Sequence, residues 1–142
     1  MRTRTFTVYA AATRAQVWRA LTDPECTRRF YLGLAVEADW CDDGPIVYRA
    51  SGAPDWAELA GHIVHIQPGH MLVHSLDETT TGGTAPESWV TWKVDELSPR
   101  LCRIALTSDD LDPTGAAERD DAWSSVISGL KTVLETGRAL RY

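Results

Sequence analysis

Four histidines, three cysteines and one acidic run are the side chains in this 142-residue sequence with the chemistry to hold a metal or move a proton. His62 and His65 stand three apart in an extended stretch, so strand alternation sends them to opposite faces. His70 and His74 share a face but lie about 13 Å apart along a strand, too far to chelate together. Across a hairpin turning at Pro68-Gly69, His65 and His74 become diagonal neighbours, yet no Cys, Asp or Glu of that hairpin completes a zinc site. Cys26, Cys41 and Cys102 are odd in number and far apart, with no C-x-x-C pair, and read as plain thiols in a reducing compartment. The nucleophile patterns G-x-S-x-G and H-E-x-x-H are missing, and so is any Cys-His pairing. The run Asp109-Asp110-Leu111-Asp112, with Glu118, Asp120 and Asp121, reads as a solvated approach to a helix rather than as paired catalytic carboxylates.

Composition removes further classes. With 44% hydrophobic and 24% charged residues the chain is ordinary globular material, long enough to bury a core and of the commonest size for one domain. A net charge of -6, with no window that gathers Lys and Arg with aromatics, argues against nucleic acid as a partner. The start MRTRTFTVYAAAT alternates instead of running apolar, and no stretch approaches the roughly 18 apolar residues of a membrane span. The expectation is a cytoplasmic protein with one domain over residues 1–142, no membrane span, no metal and no cofactor.

The positioning elements follow from periodicity. From Gly115 to Leu140, Trp123, Val126, Ile127, Leu130, Val133 and Leu134 form one apolar stripe at helical spacing, predicting a helix about 37 Å long. Thr3–Ala11 alternates as a strand, Thr13 caps a helix over Arg14–Leu21, and Asp23-Pro24 opens a second helix that Gly33 stops. Strands are then expected over Leu34–Trp40 and Ile46–Ala50, followed by a hairpin of Glu58–Ile66 and His70–Asp77 and a second of Ser88–Glu96 and Leu101–Thr107. Loops fall at Ser51–Asp55, Glu78–Pro86 and Asp109–Pro113. In the first hairpin a bulge is able to switch the inner face partway, which leaves open whether Ile63 and His65 or Val64 and Ile66 point inward. Seven antiparallel strands must bury one face, and the only large apolar partner is the terminal helix. The fold class is α+β: a helix-grip fold, a curved seven-stranded antiparallel sheet around a long C-terminal helix, with two short helices after the first strand.

Four motifs occur in order: Val17-Trp18-Arg19-Ala20-Leu21-Thr22-Asp23-Pro24; Gly61-x-Ile63 running to Ile66-x-Pro68 and Leu72; Ser88-x-Val90-Thr91; and Trp123 with Leu130-Lys131 and Leu134-Glu135-Thr136-Gly137. Together they resemble the bacterial single-domain relatives of the activator of the heat-shock-protein-90 ATPase, within the START and polyketide-cyclase superfamily (SRPBCC). The resemblance implies a hydrophobic cavity between sheet and helix. Carried over by position, its lining comes from Phe30, Tyr48, Leu72, His74, Leu76, Trp92, Ile104, Leu106, Trp123, Ile127 and Leu130. Large rings such as those of the six tryptophans both fill cores and wall pockets. Two positions depart from the family pattern: His74 stands where relatives often carry an aromatic, and Ser108 where many carry a histidine.

The expected function is therefore binding of a small hydrophobic or amphipathic ligand, a lipid or an aromatic metabolite, without strong sign of catalysis. One alternative is a cyclase- or hydratase-type enzyme in the same cavity, with His74 and Tyr48 moving a proton. A second is a partner of a chaperone ATPase. The sequence leaves open whether two chains pair as a homodimer.

Overall fold

The computed structural model describes residues 2–50, 59–77, 86–110 and 116–139. The elements run β1 (Arg2–Ala10), α1 (Arg14–Thr22), α2 (Pro24–Phe30), β2 (Leu34–Ala38), β3 (Pro45–Ala50), β4 (Leu59–Gln67), β5 (Met71–Asp77), β6 (Pro86–Ser98), β7 (Leu101–Asp110) and α3 (Ala116–Thr136). All pairings are antiparallel in the order β1-β7-β6-β5-β4-β3-β2, so β2 to β7 form a meander that β1 extends by pairing with β7. The curved sheet, the long terminal helix and the two short helices are those expected. The expected loops at 51–55 and 78–85, the strand start at Glu58, and Leu111–Gly115 and Leu140 at the margins of α3 lie outside the described residues.

Local chemistry fixes the short helices. Thr13 caps α1 in a reciprocal box, its hydroxyl accepting from the Gln16 amide while the Gln16 side chain accepts from the Thr13 amide. Asp23 ends α1 and caps α2, where Pro24 takes the first helical position. Leu32 and Gly33 then turn the chain with φ of 55° and 75°, which a leucine adopts at a cost of about 1 kcal/mol. The stripe of α3 is buried as its spacing requires, from Trp123 through Val126, Ile127 and Leu130 to Val133. Gly129 lets α2 approach α3 closely, since a Cβ there would meet the Phe30 Cβ at 3.1 Å.

The core joins the inner face of the sheet (Ile46, Tyr48, Ile63, Leu72, Val90, Trp92, Val94, Ile104, Leu106) to α3 in one buried cluster. α3 runs along β1. Near its end Lys131 Nζ donates to the Tyr9 carbonyl at 2.7 Å and Glu135 accepts from the Ala11 amide at 2.9 Å; near its start Asp120 pairs with Arg2.

The β4–β5 hairpin corrects the reading of the histidines. A bulge between Ile63 and His65 switches the inner face, so that Ile63 and then Ile66 turn inward. His62 and His65 consequently both face solvent rather than opposite sides. His74 pairs with Ile63 and is buried, whereas exposed His65 pairs with Val73, so the two histidines are not diagonal neighbours. His70 sits in the turn, not in the strand, where Arg14 Nη1 lies 3.0 Å from its Nδ1.

The acidic run is also corrected. β7 continues through Asp109 and Asp110 instead of ending at Thr107, and Asp110 is only 2% exposed.

Candidate functional site

The site begins at a break in the sheet. Among the described residues, Leu59 to His62 of β4 pair with β3, and the pairs of β4 with β5 run from Ile63 to Gln67. At the break the Ser75 carbonyl presses against Gly61, where a Cβ would stand 1.9 Å from that oxygen. The Ser75 hydroxyl replaces the missing ladder partner: it accepts from the His62 amide at 3.0 Å and also meets His62 Nδ1 at 3.0 Å. His74 Nδ1 lies 2.9 Å from the Ser75 carbonyl, and because a carbonyl only accepts, Nδ1 carries the proton. Buried Ser75 and His74 thus satisfy polar groups that an unbroken ladder would have paired.

Leu59 of β4 and Leu76 of β5 border a pocket of about 240 Å³. Leu32, Leu59, Leu76, Ala122 and Trp123 wall it with apolar surface, and Ser88, Asp110 and Arg119 supply its polar end. Exposed Leu32 stands at the rim and also lines a shallower cleft with Gly33, Leu34, Ala50 and Leu59.

The polar end is a cross-strand row. Arg2 opposes Asp110, Asp110 opposes Ser88, and Ser88 opposes Leu76. Asp110 Oδ2 takes Arg2 Nη1 at 3.3 Å, while Oδ1 accepts from the Ser108 hydroxyl at 3.2 Å and faces Arg119 Nε at 3.6 Å. Asp120 pairs with Arg2 and lies 3.9 Å from Arg4. Among the described residues three guanidiniums thus share two carboxylates, and the pairing is what keeps a buried carboxylate tolerable.

Beside the pocket lies an aromatic group. Tyr31 stacks on Tyr48 with ring centres 4.2 Å apart and meets Trp123 edge-on at 6.0 Å; Tyr48 stands 6.0 Å from His74. Burial pushes the Tyr31 phenol well above its ordinary pKa, with Tyr48 adding to the effect, and burial raises Tyr48 as well. Both phenols stay neutral across the physiological range.

Of the residues expected to line a cavity, Leu76 and Trp123 line this pocket. Phe30, Tyr48, Leu72, His74, Trp92, Ile104, Leu106, Ile127 and Leu130 are buried in the surrounding core. Sequence reasoning missed Leu32, Leu59, Ser88, Asp110, Arg119 and Ala122. A signal for Asp110 existed: the inward alternation Cys102, Ile104, Leu106 continues at the same period through Ser108 to Asp110. Among the described residues no group of three or more His, Cys, Asp or Glu is placed to hold a metal ion, and no helix is long and apolar enough to cross a membrane.

Comparison with known proteins agrees with this architecture. The chain superposes with a TM-score of 0.77 on the Aha1 dimer from Colwellia psychrerythraea, at 13% identity over 96% of this chain and 98% of that one. CalU16 from Micromonospora echinospora gives 0.77 at 18% identity, over 96% of this chain and 68% of that one. An HSP90 activator from Plasmodium falciparum gives 0.75 at 18% identity, over 94% and 96%. These likenesses establish the fold. No curated protein matches the chain. The model of the family described as activator of Hsp90 ATPase homolog 1-like protein matches residues 11–135, nearly the whole sequence, and the chain belongs to that family.

Proposed function

We propose that the protein binds a small amphipathic molecule in the pocket between the broken edge of the β4–β5 ladder and the start of α3. The observation that carries this reading is the pocket itself: apolar walls with polar groups at one end, the arrangement that fixes a ligand's orientation. At about 240 Å³ it exceeds the roughly 150 Å³ cavity that admits benzene, and it falls below the roughly 300 Å³ at which drug-sized sites begin. A single ring or a short chain bearing one polar group suits that space.

Transport or sensing fits better than turnover. The pair considered for proton transfer, His74 and Tyr48, is buried, with His74 Nδ1 committed to the Ser75 carbonyl and the Tyr48 phenol held neutral. A second reading, partnership with a chaperone ATPase, is favoured by the family description and by the activator from P. falciparum. The Colwellia structure is described as a dimer, and pairing of two copies of this chain is the matching expectation.

Native mass spectrometry decides between the readings. The purified protein is measured with and without a lipid and aromatic-metabolite extract, and again after denaturation; the native mass also counts copies of the chain. The expected result is an adduct of one small molecule that denaturation releases and that Ala122→Trp, which fills the pocket from the helix side, prevents. Protein that takes up nothing from the extract overturns the binding reading and moves the assignment to the protein partner.

A further inference from the structure

We infer that β1 is an interface: two copies of this chain pair antiparallel through its free edge, about a two-fold axis at Thr5, and join their sheets into one. This rests on the pairing of two copies expected above and adds the surface that makes it. The two ends of the sheet are finished differently. At one end β2 is five residues long, and its Val36 amide donates to Thr27 Oγ1 of α2 at 3.0 Å, so α2 covers that edge. At the other end β1 is nine residues long, pairs with β7 alone among the described residues, and does so without a register shift. It holds no proline, glycine or lysine to discourage a neighbour, and Thr3, Thr5 and Thr7 on its outer face are exposed. A long, regular edge of β-branched residues is a template for another strand.

The backbone sets the register. The Tyr9 carbonyl accepts from Lys131 and the Ala11 amide donates to Glu135, both on α3, so the odd-numbered residues point these groups away from β7. Antiparallel pairing alternates, which puts the N–H and C=O of Thr3, Thr5 and Thr7 on the free edge as well. α3 occupies that edge at Tyr9 and leaves those three residues. They meet a second copy in one way that uses them all: Thr5 opposite Thr5, and Thr3 opposite Thr7. The side chains fit the same register, because residues 3–7, Thr-Arg-Thr-Phe-Thr, read backwards as Thr-Phe-Thr-Arg-Thr. On the outer face threonines meet threonines, repeating the contact that the Thr5 hydroxyl makes with Thr107 at 3.1 Å. On the inner face Arg4, its side chain 52% exposed, stands 6.0 Å over its own Phe6 ring, and pairing sets it opposite the partner's Phe6, so that each ring gains a second guanidinium. Phe6 and Val8 are only half-buried, whereas Leu106 and Ile104 beside them on β7 are fully buried, so apolar surface is left at this edge for a second copy to cover.

Sedimentation velocity of the full chain over micromolar to millimolar concentration tests this, together with single cysteines introduced in a Cys41→Ser background. The expected result is a mass of two chains at the upper concentrations. Thr5→Pro removes an amide that faces the free edge and not β7, a place where a strand accepts proline. It deletes both hydrogen bonds of the Thr5 pair, one from each copy, and weakens association roughly tenfold or more while the circular dichroism stays that of the parent. Thr5→Cys cross-links to its own copy on mild oxidation, since residues paired in this way have Cα atoms about 5.5 Å apart, within disulfide reach. Thr3→Cys does not, because it lies about 14 Å along the strand from its counterpart. A dimer that Thr5→Pro leaves intact and Thr5→Cys fails to cross-link overturns the inference and leaves the pairing expectation standing on another surface. Cross-linking of Thr3→Cys as readily as Thr5→Cys overturns the two-fold axis at Thr5. Where the proline variant does not fold, Thr5→Lys, which sets like charges opposite each other, and the two cysteine variants decide. A chain that stays monomeric throughout overturns the inference and the expectation together and leaves the edge to a strand of another protein.

Discussion

The two halves of α3 lie over the same sheet and meet different floors. Its second half runs toward the end of β1, over rows that cross the sheet as Phe6–Leu106–Trp92–Leu72 and Val8–Ile104–Val94, where β4 and β5 are paired and the interior is filled. The first half lies over the row Arg2–Asp110–Ser88–Leu76, beyond the last β4–β5 pair among the described residues, Ile63 with His74, and there a pocket opens. Large apolar side chains from facing elements close the interior at one end, whereas shorter and polar side chains at the other leave space. Where the space opens, the inward residues change from Val, Leu and Trp to Ser, Asp and Arg. The difference teaches that the site follows from which side chains the register brings into each row, not from any one of them alone.

Truncating a leucine at each end tests this most strongly. Leu130 is fully buried in the filled half, and Leu130→Ala should cost about 3 kcal/mol in denaturant unfolding, the transfer of the lost atoms plus the cavity they leave. Leu76 is half-buried beside space that already exists, so Leu76→Ala should cost about 1 kcal/mol. Equal costs would mean that the pocket end is packed as tightly as the other, and the comparison would fall.

The joint between the halves comes next. A methyl group at Gly61 meets the Ser75 carbonyl, a backbone atom that cannot swing aside, so Gly61→Ala should destabilise by about 2 kcal/mol. It should also weaken the amide-exchange protection of His62, whose N–H bonds to Ser75 Oγ. Full protection in this variant would show that the break is not held at Gly61.

At the pocket end, Asp110→Asn keeps the shape and removes the charge that Arg2 and Arg119 share. Breaking a fully buried pair costs about 3–5 kcal/mol. Here both guanidiniums remain partly in water, with side chains 24% and 30% exposed, so about 1–2 kcal/mol is expected in urea unfolding. A loss below 0.5 kcal/mol, on the order of an exposed ion pair, would show that the network does not fasten α3.

The architecture was legible because it rests on local rules: caps at Thr13 and Asp23-Pro24, alternation in β1 and β7, and one stripe on α3. The pocket was not legible in the same way. Leu59 and Leu76 border the pocket beyond the last described β4–β5 pair, Ile63 with His74, and register between strands is a tertiary fact that neither strand's own pattern records. Asp110 misled for a different reason. Within an acidic run its charge outweighs its place in the period-two alternation, and its partners Arg2 and Arg119 come from the far end of the chain and from the helix. His74 was legible as an inward histidine, but its bond to its neighbour's carbonyl follows from the broken ladder.

The smallest effect belongs to the tie at the filled end, where Glu135 joins Lys131 on α3 to the Ala11 amide after β1. The hydrogen bond from Lys131, and after it the one from Ala11, hold the Glu135 carboxyl below its ordinary pKa. A group whose pKa is lower in the folded chain than in the unfolded one adds stability above the unfolded value, about 4.3, and loses it as pH falls through the folded value. Because Glu135 is largely exposed, solvent screening limits the gain to about 0.5 kcal/mol. Glu135→Gln should therefore be less stable than the parent by that amount at pH 7, with the difference shrinking toward zero below pH 4 and in high salt. A difference that instead grew in acid would mean that the protonated form makes the stronger contact. Set beside the loss in Asp110→Asn, the small value separates two kinds of fastening: a solvated clip where packing already holds α3, and a buried network where the pocket takes packing away.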